Sequence, residues 1–161
     1  MSDDDDNVLP FVHTLKPGTV VAEVGGLVDE TKVTLALYGE DLDPEEITKL
    51  LGVEPTSAHR RGDTRSRGAR PYPKGAWFLK LVGTPPRGPA ELLEDLLERV
   101  PPASVALWQG LRQRFDVQVR FGIFLEAWNR GFGVPARQLE QLSLIVNSFE
   151  FDIYANGGSD E

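Results

Sequence analysis

The sequence predicts an α+β fold of ferredoxin-like kind, with two split strand-helix-strand halves, a four-stranded, mostly antiparallel sheet and helices on one face. Three observations predict it. Stretches in which apolar and polar residues alternate are separated by stretches of helical period, in the order strand, helix, strand, helical pair, strand, helix, strand. Asp43-Pro44-Glu45-Glu46 opens a helix that Gly52 closes. A weak internal repeat sets Ile47, Leu50 and Val53 against Leu139, Leu142 and Ile145 at a constant offset of 92. Too few strands are available for a doubly wound sheet.

The elements follow in order. Residues 32–38 alternate Val33, Leu35 and Leu37 with Thr34, Ala36 and Tyr38, the period of a half-buried strand. In the helix at 44–51, Asp43 is the N-cap, Pro44 takes the first helical position and Glu46 has capping-box spacing. Ile47, Leu50 and Leu51 form its apolar stripe. Residues 54–74 form a long polar connection rich in Arg, Gly and Pro, a class of loop that often carries function. Residues 75–82 read as a strand with Trp77, Leu79 and Leu81 on one side and Phe78, Lys80 and Val82 on the other, ended by a proline-rich turn.

An amphipathic helix at 90–100 carries Leu92, Leu93, Leu96 and Leu97 and stops at Pro101-Pro102. A second, at 103–114, carries Val105, Leu107, Trp108 and Leu111. Val117, Val119, Phe121 and Ile123 mark a strand at 116–125, Pro135 opens the last helix, and Phe151 and Ile153 mark a final strand at 150–154. Residues 1–28 are expected to be an N-terminal extension, partly disordered, in which 19–24 could add an edge strand. Residues 29–156 form the single domain and 157–161 a disordered tail.

A chain of 161 residues suffices for one core that buries roughly 68–70% of the unfolded surface. No apolar run approaches the roughly 18 residues of a membrane span, and the acidic start Met-Ser-Asp-Asp-Asp-Asp is unlike a signal or transit peptide. A cytoplasmic location without membrane contact is the expectation. The absence of cysteine excludes disulfides, thiolate nucleophiles and sulfur-ligated metal sites. A net charge of −8 argues against whole-surface affinity for nucleic acid, yet residues 59–74 hold six cations and one acid.

Several motifs together resemble a bacterial family, the domain of unknown function 4279. They are Tyr38-Gly39-Glu40-Asp41-Leu42-Asp43-Pro44, Leu51-Gly52-Val53-Glu54-Pro55-Thr56, His59-Arg60-Arg61-Gly62-Asp63, Gly75-Ala76-Trp77 and Phe151-Asp152-Ile153-Tyr154, spanning 31–154. The resemblance implies a small soluble bacterial domain with no assigned enzyme activity and therefore no catalytic residue to carry over. The N-terminal extension and the helix opening Val134-Pro135-Ala136 depart from the family's usual pattern.

The candidate binding residues are His59, Arg60, Arg61, Asp63, Arg65, Arg67 and Trp77. Arginine forks suit carboxylate or phosphate, and an aromatic face suits a base or a cation. The competing expectation is that Arg60 or Arg61 pairs with Glu40, Asp41 or Asp63 to pin the loop while Trp77 is core. His59 and Asp63 have the spacing of a base and its orienting acid, but no nucleophile of recognisable context accompanies them. A loop histidine bonded to the backbone is the simpler reading. Glu40, Asp41, Asp43, Glu45 and Glu46 lack calcium-loop spacing and suit the helix dipole better than a metal. Gly131-Phe132-Gly133 reads as a turn, and His13 stands alone. Trp108 reads as core and Trp128 as an exposed contact.

The resulting expectation is a non-enzymatic domain that binds another protein, as an immunity or regulatory protein of a bacterial system, without cofactor or metal. The alternative is a nucleotide or nucleic-acid binder that holds phosphates on loop 59–74 and stacks a base on Trp77 or Tyr72. A third option is a hydrolase built on His59 and Asp63.

Overall fold

The structure, a computed structural model, describes residues 26–100, 104–127 and 129–155. The expectations for His13, for a strand at 19–24, for Trp128 and for the C-terminal tail lie outside the described residues. In chain order the elements are β1 (Glu30–Gly39), α1 (Pro44–Leu51), β2 (Ser57–His59), β3 (Gly75–Gly83), α2 (Pro89–Arg99), α3 (Val105–Arg114), β4 (Asp116–Leu125), α4 (Ala136–Ile145) and β5 (Ser148–Ala155). The α+β class holds.

The sheet differs from the expectation in two respects. It has five strands, in the order β2-β3-β1-β4-β5, and it is mixed: β4 and β5 run parallel, while the other three pairings are antiparallel. The added strand is β2. Three residues are too few to show a period of two, and β2 exists through its pairing with β3 and through Thr56, whose hydroxyl donates to the Phe78 carbonyl at 3.0 Å and accepts from the Lys80 amide at 3.0 Å. The parallel pair follows from α4, because a helical crossover carries the chain back to the end of the sheet at which β4 began.

Local chemistry accounts for the elements that hold their expected limits. The Asp43 carboxylate accepts from the Glu45 amide at 3.1 Å, and α1 ends where Gly52 takes a φ of 68°, a conformation that costs glycine little. In β1, Val33, Leu35 and Leu37 lie opposite Leu81, Leu79 and Trp77 of β3 and opposite Phe121, Val119 and Val117 of β4. With Ile47 and Leu51 of α1, Leu92, Leu93, Leu96 and Leu97 of α2, Trp108 and Leu111 of α3, and Leu142 and Ile145 of α4, these side chains form one buried cluster. Fully burying each such side chain stabilises by roughly 1.5–3 kcal/mol, so this side of the sheet holds the fold together.

The opposite side carries no helix contribution to that cluster. Tyr38, Phe78, Lys80, Arg120 and Phe124 stand there, with Tyr38 and Phe78 edge to face at 5.5 Å. Two sides of different chemistry are thus set by the parity of each strand. The polar one borders the loop that follows β2.

Candidate functional site

The loop between β2 and β3 is held at its base by backbone pairing. The Gly62 amide donates to the Tyr72 carbonyl at 2.9 Å, and the Tyr72 amide donates to the Asp63 carbonyl at 2.8 Å. The Asp63 carboxylate accepts from the Arg60 amide at 2.8 Å. Asp63 therefore closes the turn.

The first two arginines point back to α1. One Arg60 nitrogen lies 2.8 Å from Asp43 and 3.0 Å from Glu45, and Arg61 lies 3.5 Å from Glu40. The guanidinium of Arg60 thus meets the carboxylate that caps α1. Glu46 is held by Arg114, so four of the five acids considered for a metal each face an arginine. Arg65, Arg67, Arg70 and Lys74 are exposed and form no ion pair among the described residues.

The His59 ring lies flat on Tyr72, with ring centres 3.6 Å apart and planes 16° from parallel, and is 6.1 Å from Phe78. Burial lowers the His59 pKa below the ordinary 6.5, opposed by the charge of Asp63 and a hydrogen bond to the Lys74 backbone. The imidazole is thereby biased toward its neutral, stacking form. An open groove of about 660 Å³ runs over these rings, lined by Ser57, Ala58, His59, Asp63, Thr64, Arg65, Tyr72 and Phe78. An aromatic floor with one arginine and one carboxylate at its rim can hold a planar group and an adjoining anion.

Five of the seven candidate residues lie on this loop and His59 ends β2 just before it, but these six have different roles. Arg60 and Arg61 tie the loop to the acids around the start of α1, Asp63 closes its turn and also lines the groove, His59 and Arg65 line the groove, and Arg67 stands exposed on the loop. Trp77 is a correction. It is 0% exposed, and its indole N–H donates to Thr48 at 3.0 Å on the helix side of the sheet. The alternation in β3 already places Trp77 with Leu79 and Leu81, so the core reading was available from the sequence. The same alternation sends Phe78 to the open side, where it and Tyr72 complete the aromatic floor that the candidate set lacked.

Among the described residues no three His, Cys, Asp or Glu side chains converge in a metal-holding group, and no helix is long and apolar enough to cross a membrane. Neither a curated protein nor a solved structure matches the chain. A family model does, over residues 29–156, and it covers every element from β1 to β5 together with the loop and its groove. The chain therefore belongs to the family described as Domain of unknown function (DUF4279).

Proposed function

We propose that this protein is a non-enzymatic binding domain whose groove beside β2 takes a segment of a protein partner, most concretely in an immunity or regulatory role in a bacterial system. The observation that carries this reading is the stack of His59 on Tyr72. The stack presents the imidazole as part of a flat contact surface, and Asp63, the acid that would orient it as a base, accepts from the Arg60 amide and closes a turn instead. What remains accessible is a binding surface: a groove lined by the rings of His59, Tyr72 and Phe78 and by Arg65. Such a surface suits a partner side chain that is flat or apolar, next to a carboxylate.

A cytoplasmic protein with this charge distribution is also the simplest reading of the acidic composition. Strands β2-β3-β1-β4, in which β3 separates the parallel pair β1 and β2, further support a ferredoxin-like unit extended by α4 and β5.

One observation favours the second reading, phosphate recognition. Four cations that form no ion pair among the described residues, Arg65, Arg67, Arg70 and Lys74, lie together on this loop. Salt separates the two, because affinity carried by several phosphate contacts falls steeply with ionic strength. The test is purification of the tagged protein from its native host beside Tyr72→Ala and Arg65→Glu/Arg67→Glu variants, with proteins and nucleic acid assayed in each. A protein present at near-equal amount with wild type and lost from both variants is expected. Nucleic acid lost from the charge-reversed variant instead transfers the site to phosphate recognition, and a partner retained by both variants removes the groove from the contact.

A further inference from the structure

The edge of the sheet opposite β2 carries a second surface. β5 pairs with β4 on one side, and no strand pairs with its other side among the described residues. Its odd-numbered positions are apolar and exposed: Phe149 by 44%, Phe151 by 40% and Ile153 by 61%. They are nonetheless ordered against their neighbours. Phe151 stacks on Phe121 at 4.8 Å and on Phe132 at 6.0 Å, with Phe149 edge-on at 6.0 Å.

The even-numbered side is acidic. Glu150 lies 3.3 Å from Arg120, Asp152 has no ion pair among the described residues, and Tyr154 stacks on Phe124 at 4.7 Å. An exposed edge of this kind is a liability that folded proteins cover or charge. Here the two carboxylates select what can cover it. An antiparallel pair of β5 strands from two copies keeps even positions on the even side, so a register centred on residues 150–152 would set Glu150 and Asp152 against carboxylates, whereas a parallel pair through this same edge turns one copy over and would set them beside apolar side chains. Like charges directly opposite in a ladder are destabilising.

We propose that β5 is a docking edge for an extended segment of a protein partner in which Lys or Arg alternates with apolar residues, added to the sheet as a sixth strand. The free edge of β5 supplies the backbone bonds, the apolar residues lie against Phe149, Phe151 and Ile153, and the cations face Glu150 and Asp152. β2 and β5 are the two outer strands, so this surface is separate from the groove.

The probe is an eight-residue peptide alternating Lys and Val, titrated into the ¹⁵N-labelled full chain and followed by NMR, with an alternating Glu and Val peptide as control. Saturable shifts confined to the amides of β5 and its neighbours in β4 are expected, with no response to the control. Glu150→Lys/Asp152→Lys should weaken the Lys peptide by at least about fivefold and admit the Glu peptide, since opposed charges across a ladder favour pairing and like charges oppose it. Ile153→Asp, at an exposed position, should weaken it without unfolding the chain. Tyr72→Ala should leave this binding unchanged, so failure of the groove reading and failure of this one are separate results. Shifts scattered over the acidic surface, equal affinity for the charge-reversed variant, a dimer formed through β5, or contacts from residues 1–25 occupying β5 in the free chain would each overturn the proposal.

Discussion

Arg114, the last residue of α3, grips Glu46 in the first turn of α1 with two guanidinium nitrogens, at 2.8 and 3.2 Å from the two carboxylate oxygens. Each partner also sits where its helix favours its charge, an acid at an N-terminus and a base at a C-terminus. The contact spans 68 residues and joins two helices that pack on different strands.

The bidentate bond from Arg114 holds the Glu46 pKa below the ordinary 4.5. Glu46 is expected to titrate below that value by carboxyl NMR, and Arg114→Gln should return it upward. Because the folded pKa is the lower one, the stabilising contribution is present above the unfolded value and lost as pH falls through the Glu46 titration. The stability difference between wild type and Arg114→Gln in urea should therefore shrink on acidification and in high salt. A difference that stays constant with pH would mean that the pair contributes nothing.

Trp77 presents a sharper energetic case. Its ring is fully buried and its N–H has the Thr48 hydroxyl as acceptor. Thr48→Val keeps the shape of the side chain and removes that acceptor, which should cost about 1–3 kcal/mol for a buried donor left unpaired. Thr48→Ser should cost less. Urea unfolding followed by Trp fluorescence checks both, with a lower midpoint and an unchanged slope expected for Thr48→Val. Equal midpoints would show that water replaces the hydroxyl.

These two contacts show what could be read in advance and what could not. The limits of α1 and β4 were legible because caps and alternation are local: Asp43, Pro44 and Gly52 bound one, and Val117 to Ile123 trace the other. β2 was not, since its recognition depends on β3, some twenty residues later, more than on its own three side chains. The parallel placement of β5 was likewise a property of the crossover. In the site, the arginines were legible as a cluster, but many acids stood equally near in sequence. Only the fold shows that Arg60 meets Asp43 and Glu45 while Arg65 forms no ion pair among the described residues.

Gly39 and Gly75 face each other at the end of the β1–β3 ladder. A Cβ at Gly75 would lie 2.5 Å from the Leu42 carbonyl oxygen, and one at Gly39 would lie 2.5 Å from the Phe115 ring. The first obstacle is backbone and the second a side chain. Gly75→Ala should therefore destabilise by about 1–3 kcal/mol and by more than Gly39→Ala. Gly110→Ala is the control, because no atom stands within 4 Å of its Cβ and it lies inside α3, where Ala is favoured by about 0.5–1 kcal/mol. Thermal melts should order the variants as Gly110→Ala, wild type, Gly39→Ala, Gly75→Ala, from most to least stable. Any rise in stability for Gly75→Ala would contradict the close approach to Leu42.

His59 tests the site without knowledge of its partner. Burial lowers its pKa, while Asp63 and the Lys74 backbone bond pull the other way. Two substitutions should then move it in opposite directions. Tyr72→Ala uncovers the ring and should raise the pKa toward 6.5, whereas Asp63→Asn removes the charge that favours the imidazolium and should lower it further. The sign of the stability effect follows: the unfolded chain binds the proton at higher pH, so the contribution is intact above about 6.5 and is lost as pH falls through the lowered His59 value. Titration of the imidazole C–H signals by NMR checks this, with His13→Gln assigning the other histidine. A His59 pKa that rises with Asp63→Asn would mean that this carboxylate holds the ring only through the turn. A pKa unmoved by Tyr72→Ala would mean that the stack does not persist in solution, and the aromatic floor of the groove would be lost with it.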